Sequence, residues 1–229
     1  MKAQIILASA LLNLFNTGCT TTNTNQEASI ILNSTKQACA APEATFTKIR
    51  NPILFTSGEQ ANTCLSYFDL KQSSEIDEDV NNMIAAQDYV ICDTVKAVQH
   101  ASKNRFESSG INTAGAHMAE RIVLDSFPSS LFQRTDADHK TEKQIFGSNL
   151  NIGRYSVVAD TPEWHYGLQL HAVLDINGDG LEDWIIWLTD RAKNGDYSVV
   201  AGFYVISVAN KGPLKMMPLR KLSALLAVN

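Results

Sequence analysis

One loop restricts the architecture of this 229-residue chain more than any other stretch. It offers oxygen-bearing side chains at loop positions 1, 3, 5 and 9, supplied by Asp175, Asn177, Asp179 and Asp183. Gly180 stands at position 6, where a loop of this kind must turn sharply. A hard cation takes about six to eight oxygen ligands, and this spacing wraps several oxygens around one point. The sequence therefore predicts a cation site formed by these residues.

The loop resembles the calcium loops of the EF-hand, dockerin and FG-GAP families. Position 12 holds Ile186, so the bidentate Glu of an EF-hand is absent, and the flanking residues have the pattern of strands rather than helices. Both departures favour the FG-GAP version, in which calcium binds at a β-hairpin. The resemblance implies calcium as the cofactor, with the backbone carbonyl of Leu181 as a ligand at position 7 and Asp183 as a ligand at position 9, directly or through water. It also implies a weak site, with a Kd on the order of 10⁻⁴ to 10⁻³ M. The alternative is a polar hairpin turn of Asn, Asp and Gly that binds no metal.

The first residues of the chain predict export. Lys2 precedes a short apolar run that ends near Phe15. The run is too short to span a bilayer as a stable helix, and a positive charge followed by such a run is typical of a secretion signal. We therefore expect residues 1–18 to be a signal peptide.

The residues after this run predict a lipid anchor. The stretch Asn16-Thr17-Gly18-Cys19 resembles the lipobox of bacterial lipoproteins, with Asn16 where that family usually has Leu. The resemblance implies that Cys19 is acylated, becomes the mature N-terminus and holds the chain on the periplasmic side of a membrane. Thr20, rather than Asp, follows the cysteine, which in that family favours passage to the outer membrane. The alternative is an ordinary signal peptide with an incidental cysteine.

Residues 19–28 predict a flexible tether. The stretch Thr20 to Glu27 contains no apolar residue, so burial cannot offset the entropy of ordering it. Beyond the tether we expect a single α+β domain over residues 29–229. Residues 28–75 lack a clear period and are predicted to be mostly loop, with a short helix or strand.

Two helices are predicted in the middle of the domain. The first covers residues 77–103, where apolar side chains recur on one helical face. This stripe consists of Val80, Ile84, Ile91, Val95 and Val98. The second helix begins at Asn112 or Thr113 and ends by about Phe127, because Pro128 cannot continue it.

The C-terminal part predicts an antiparallel meander of about four strands, two of them joined by the calcium loop. Apolar and polar residues alternate up to Leu174, which predicts a half-buried strand. His165 and His171 fall on the polar side of that strand, so we expect both to face solvent. The next strand, 183–188, is apolar on both faces, which predicts a central position covered on both sides.

The cysteines predict one disulfide. Acylation of Cys19 would leave Cys39, Cys64 and Cys92, an odd number in an exported chain. We predict the bridge Cys64–Cys92, which would clamp the irregular N-terminal region to the long helix. The alternative leaves all three thiols reduced and buried.

The net charge and the motifs of the sequence reduce the number of functional classes to which the chain could belong. The net charge is −5 and no basic cluster is present, so nucleic acid is not an expected partner. The sequence contains no nucleophile elbow, zinc-protease motif or phosphate loop, and no catalytic residue is assigned. We expect a non-enzymatic, calcium-binding structural or interaction module of the cell envelope, with an envelope protein or polymer as partner. The alternatives are an envelope-associated hydrolase with dispersed catalytic residues and a periplasmic inhibitor of a secreted enzyme.

Overall fold

The computed structural model describes residues 26–27, 29–32, 35–101, 104–108 and 111–222. The predicted signal peptide, Cys19 and most of the predicted tether lie outside these residues. The α-helices of the described residues are α1 (Thr35–Ala40), α2 (Pro42–Thr47), α3 (Cys64–Leu70), α4 (Val80–Ala86), α5 (Val90–Ala101), α6 (Ala114–Arg121) and α7 (Glu142–Phe146). The strands are β1 (Gln26–Glu27), β2 (Ile30–Ile31), β3 (Ile53–Leu54), β4 (Gln60–Ala61), β5 (Phe106–Glu107), β6 (Leu150–Ile152), β7 (Ser156–Asp160), β8 (Trp164–Leu174), β9 (Asp183–Ala192), β10 (Ser198–Val205) and β11 (Met217–Pro218).

The fold is α+β, with an antiparallel meander in the C-terminal part as predicted. Strands β6 to β11 lie side by side in chain order, each antiparallel to the next. The meander thus has six strands rather than about four. Strand β2 pairs with Ala172 and Val173 of β8, beyond the end of the stretch that β7 covers. Strand β1, at the end of the predicted tether, pairs with β5.

Helices cover both faces of the central strands. On one face Trp184 and Ile186 of β9 belong to the same buried cluster as Met118 of α6. On the other face Ile185 is buried with Val98 of α5. Because neighbouring strand residues point to opposite faces, the unbroken apolar run of β9 is explained by this double covering, and the predicted central position is confirmed.

Strand β8 contains a β-bulge at His171. Leu170 pairs with Ile186 and Ala172 pairs with Ile185, so two residues of β8 stand opposite one residue of β9. A bulge of this kind inserts one residue and reverses the inside–outside alternation beyond it. The alternation that the sequence predicts for β8 is therefore correct only up to Leu170.

The expectation that His171 faces solvent is wrong. Its side chain is 3% exposed and its ring stacks on that of Trp187, with centroids 4.0 Å apart. His171 Nδ1 shares a hydrogen bond of 2.6 Å with Thr35 Oγ1 of α1. Burial lowers the pKa of His171 to about 4, so the imidazole is neutral in the folded protein at pH 7. His165 does remain partly exposed, and its Nδ1 lies 2.9 Å from Asp160 Oδ1.

The helix predicted over residues 77–103 is two helices. Asp79 caps α4 by accepting a hydrogen bond of 2.9 Å from the backbone of Asn81. A 3₁₀ turn, Gln87–Tyr89, then separates α4 from α5. The Gln87 side chain donates to the backbone carbonyl of Ser198 at 2.6 Å, which ties this break to the sheet.

The break changes which apolar residues are buried. Val95 and Val98 of α5 are buried as predicted, whereas Val80 and Ile84 of α4 are 68% and 46% exposed. A 3₁₀ turn has about 3.0 residues per turn instead of about 3.6. The predicted stripe therefore loses its phase at the break, and the residues on either side of it do not share one face.

The stretch 28–75 is more regular than predicted, because it holds three helices and the β3–β4 hairpin. Local signals explain two of the helix starts. Pro42 occupies the first turn of α2, and Thr63 with Ser66 forms a capping box at the start of α3. Helices of six or seven residues are too short to show a period in the sequence.

The predicted disulfide Cys64–Cys92 is present, with the two Cα atoms 5.5 Å apart. It joins the first residue of α3 to α5, and both cysteines are fully buried in a cluster that includes Tyr67 and Tyr89. The alternative with all thiols reduced is wrong. Cys39 is a free, partly buried thiol, and burial raises its pKa to about 11.

Candidate functional site

The predicted calcium loop joins β8 to β9, and Asp175 organises it. The Asp175 carboxylate accepts hydrogen bonds from three backbone N–H groups, those of Gly178 (2.7 Å), Asp179 (3.2 Å) and Gly180 (3.0 Å). Both glycines have φ near +78°, a conformation that favours glycine. The turn is therefore wrapped around a buried carboxylate, since Asp175 is only 2% exposed.

Asp183 at the start of β9 is fully buried below the loop. Its two oxygens accept backbone hydrogen bonds from Ile176 (2.7 Å) and Ser207 (2.6 Å). Burial raises the pKa of Asp183 to about 7, against the effect of these two hydrogen bonds. The negative charges of Asp179 and Asp175 raise it further, so the three carboxylates are close enough to repel one another.

Asn177 and Asp179 lie at the outer side of the loop. Asp179 Oδ2 accepts from the Asn177 side chain (2.9 Å) and from the Ser207 hydroxyl (3.0 Å), and Oδ1 accepts from the Leu181 backbone (2.8 Å). Together with the bonds to Asp175 and Asp183, the three carboxylates accept eight hydrogen bonds (three, three and two). A carboxylate has about four lone-pair sites, so each keeps at least one for another ligand.

The acidic side chains of the loop do not form a ready-made group of metal ligands. Across the described residues, no group of three or more His, Cys, Asp or Glu side chains is arranged to hold a metal ion. The structure brings Asp175, Asp179 and Asp183 into one loop, where backbone and side-chain groups donate hydrogen bonds to the three carboxylates. Leu181 forms a β-bridge with Glu107 at the edge of the same loop.

Three chain segments outside the hairpin are attached to this loop. Asn104, just after α5, donates its side-chain N–H to the Asp175 carbonyl at 2.8 Å. The backbone of Glu107 in β5 donates to the Gly180 carbonyl at 3.1 Å. The linker after β10 contributes Ser207, whose φ of 54° is unusual for a residue with a side chain. No pattern in the sequence marks Asn104 or Ser207, because both contacts form between residues distant in the chain.

The linker that supplies Ser207 is itself fixed by Arg121 at the end of α6. The Arg121 guanidinium donates to the backbone carbonyls of Val208 (3.2 Å), Gly212 (2.9 Å) and Asn210. An arginine has five N–H donors in a rigid plane, which suits it to hold a loop by several carbonyls at once. The loop between β8 and β9 is thus connected through Ser207 and this linker to the C-terminal end of α6.

A cleft between the helices and the sheet is the second candidate site. Its volume is about 360 Å³, and one wall consists of α4 and α5 side chains such as Met83, Ala86 and Val90. The other wall is residues 199–203 of β10, with Pro218 and Leu219 at one end. Small-molecule sites in proteins are usually concave and mainly apolar, and this lining is mainly apolar.

Polar groups meet at one part of the cleft. The Asp93 carboxylate accepts a hydrogen bond of 2.8 Å from the Tyr67 hydroxyl and forms an ion pair of 2.8 Å with Lys71. Burial and the Asp93 charge raise the pKa of Tyr67, whereas the positive charge of Arg220 acts in the opposite direction. Arg220, an exposed residue, also lines the cleft. No acidic side chain of the described part of the chain forms an ion pair with it.

Among the other buried carboxyl groups, Asp190 and Glu142 lie beside the sheet, and neither has the surroundings of a catalytic acid. Asp190 accepts four hydrogen bonds, from Ser130 N (2.6 Å), Ser130 Oγ (2.7 Å), Trp164 Nε1 (2.6 Å) and Tyr197 OH (3.2 Å). Glu142 is buried near the Tyr166 hydroxyl, and burial raises the pKa of Glu142 well above its usual value. Both side chains are closed off from solvent, which suits a structural role.

Comparisons with protein-family models, with curated proteins and with solved structures give no match to this chain. Within the ranges that the structure describes, every helix is too short or too polar to cross a membrane.

Proposed function

We propose that this chain is an exported, membrane-anchored lipoprotein whose domain is a calcium-stabilised structural or interaction module of the cell envelope. The observation that carries the proposal is the arrangement of Asp175, Asp179 and Asp183 in one loop that also holds β5 and the linker after β10. Three like charges in a small volume favour a bound cation, since each charge raises the free energy of the others.

Calcium in this loop would be structural. Asp175, Asn177, Asp179 and Asp183 would supply side-chain oxygens, and Leu181 its carbonyl. A cation attracts the carboxylates that otherwise repel one another, and it would thereby strengthen the junction of the hairpin with Ser207. Loops of this kind in extracellular modules bind calcium with a Kd on the order of 10⁻⁴ to 10⁻³ M.

A binding role is favoured over a hydrolase by the state of the carboxylates. Asp93 in the cleft is already engaged by Tyr67 and Lys71. Asp190 and Glu142 are removed from solvent. A catalytic acid or base must reach the proton that it transfers, and none of these three carboxyl groups projects freely into the cleft.

Calcium stoichiometry tests the metal part of the proposal. Equilibrium dialysis with radioactive calcium should find one ion per wild-type chain and none for Asp175→Asn. The substitution keeps the shape of the side chain, but it removes a charge and leaves one acceptor oxygen in place of the two that accept three backbone hydrogen bonds. Asp138→Asn, in an exposed loop elsewhere, is the matched control and should keep the ion. If Asp175→Asn and Asp138→Asn bind calcium equally, the ion is not bound by the Asp175 loop.

Cell fractionation tests the anchor. The wild type should be found in membranes, with the mass of a diacyl or triacyl group on Cys19, and Cys19→Ala should be soluble. The prediction rests on the lipobox-like stretch before Cys19. An unmodified mature N-terminus at another residue would contradict it.

A further inference from the structure

The outer edge of β10 is only partly paired. Strand β11 has two residues and pairs with Phe203 and Tyr204 alone. Residues 199–202 therefore have no strand partner on that side among the described residues, and they line the cleft. Successive strand residues point to opposite faces of a sheet. A cavity that residues 199–202 all line must therefore lie beside the free edge of β10 and not over one face of the sheet. Gln87 shields one end of this edge by donating to the Ser198 carbonyl.

The volume of the cleft limits what can occupy it. The cavity of about 360 Å³ lies at the lower end of the range of about 300 to 1,000 Å³ that is usual for small-molecule sites. The cleft thus fits a small molecule.

The charges at the polar part of the cleft determine which sign of charge the ligand can carry there. Lys71 and Asp93 neutralise each other in an ion pair of 2.8 Å. Among the described residues, no acidic side chain forms an ion pair with Arg220, which lines the cleft, and its positive charge acts on the Tyr67 hydroxyl. An arginine binds a carboxylate through two parallel N–H donors, whereas an ammonium group would be repelled.

We propose that this cleft binds a small carboxylate with one unbranched apolar chain, such as octanoate. The apolar chain lies between α4 and the open edge of β10, in contact with Met83 and Ala86. The carboxylate lies at the Arg220 end. The site is independent of the calcium loop and of the lipid anchor, so it stands or falls separately from the proposed function.

Isothermal titration calorimetry with octanoate tests the proposal on the full chain carrying Cys19→Ala, which has no acyl group of its own. Octanoate should bind at one molecule per chain and about tenfold more tightly than octan-1-ol, because a hydrogen bond to a charged group is lost with the alcohol. Arg220→Gln should reduce octanoate binding to the level of octan-1-ol and leave octan-1-ol unchanged. Arg134→Gln, an exposed arginine outside the cleft, is the control and should change neither.

Two variants that fill the cavity complete the test. Met83→Trp and Ala86→Phe add bulk to the helical wall, and each should weaken both ligands at least tenfold. Circular dichroism and thermal melting identify a variant that fails to fold, in which case the other variant decides. The proposal is overturned if octanoate shows no saturable binding up to about 1 mM, if octanoate and octan-1-ol bind equally, or if both folded filling variants bind as the wild type does. Binding that appears only after deletion of residues 223–229 would also overturn it, since the occupant would then be the chain's own end.

Discussion

Removal of the Cys64–Cys92 bridge should cost a large part of the stability of the domain. The two cysteines are 28 residues apart in the sequence. The loop-entropy model then gives about 3.6 kcal/mol for the bridge at about 25 °C. The variant Cys64→Ala/Cys92→Ala also removes two fully buried sulfur atoms, which adds about 1 to 2 kcal/mol. We expect the free energy of unfolding to fall by about 5 kcal/mol, out of the roughly 5 to 15 kcal/mol that is usual for a domain.

Urea unfolding followed by circular dichroism measures this loss, and reduction separates its two parts. Wild-type protein reduced with dithiothreitol keeps both sulfur atoms and should lose only about 3.6 kcal/mol. Cys39→Ala removes the free thiol and should lose less than about 1 kcal/mol, since it is only partly buried. If the double variant loses less than about 2 kcal/mol, packing of the sulfur atoms accounts for the whole effect and the loop-entropy reasoning is refuted.

Two other buried polar groups give predictions. His171 is neutral in the folded protein because burial lowers its pKa to about 4, whereas the unfolded chain takes up a proton below about pH 6.5. The contribution of His171 to the free energy of unfolding is complete above about pH 6.5 and is lost as the pH falls to about 4. Over that range, urea unfolding should show that the wild type loses about 3 kcal/mol more of this free energy than His171→Phe does. Asp190→Asn replaces an acceptor of four hydrogen bonds with a group that is half donor, and calorimetric melting should show a loss of about 2 to 4 kcal/mol. If Asp190→Asn costs less than about 1 kcal/mol, the four donors form hydrogen bonds to water instead.

Patterns that repeat within one element were predictable from the sequence. The unbroken apolar run of β9 requires cover on both faces, and α5 and α6 provide it. The signal for β9 lies within the strand itself. The Cys64–Cys92 bridge was also predicted, although the two cysteines are 28 residues apart and the helix that carries Cys92 is shorter than expected.

Features that depend on a single inserted residue or a single distant contact were not predictable. The bulge at His171 changes the face of the residues beyond it, and nothing in the alternation marks where it falls. The 3₁₀ turn before Val90 has the same effect on the helical stripe. For the predicted calcium loop, the spacing predicts that Asp175 and Asp183 belong to one loop. Ser207 joins them only because the linker after β10 returns to the hairpin.

Thermal melting with and without calcium tests the central claim most directly. At about 10 mM calcium, a Kd on the order of 10⁻⁴ to 10⁻³ M adds about 1.4 to 2.7 kcal/mol to the stability of the folded state. For a chain of this length the Tm should then rise by about 3 to 10 °C, and by less with magnesium, whose octahedral preference this loop fits poorly. Asp175→Asn should fold but show no rise. A wild-type Tm that does not change at about 10 mM calcium, which is about tenfold above the weakest Kd expected, would mean that the loop is a hydrogen-bonded turn without a metal.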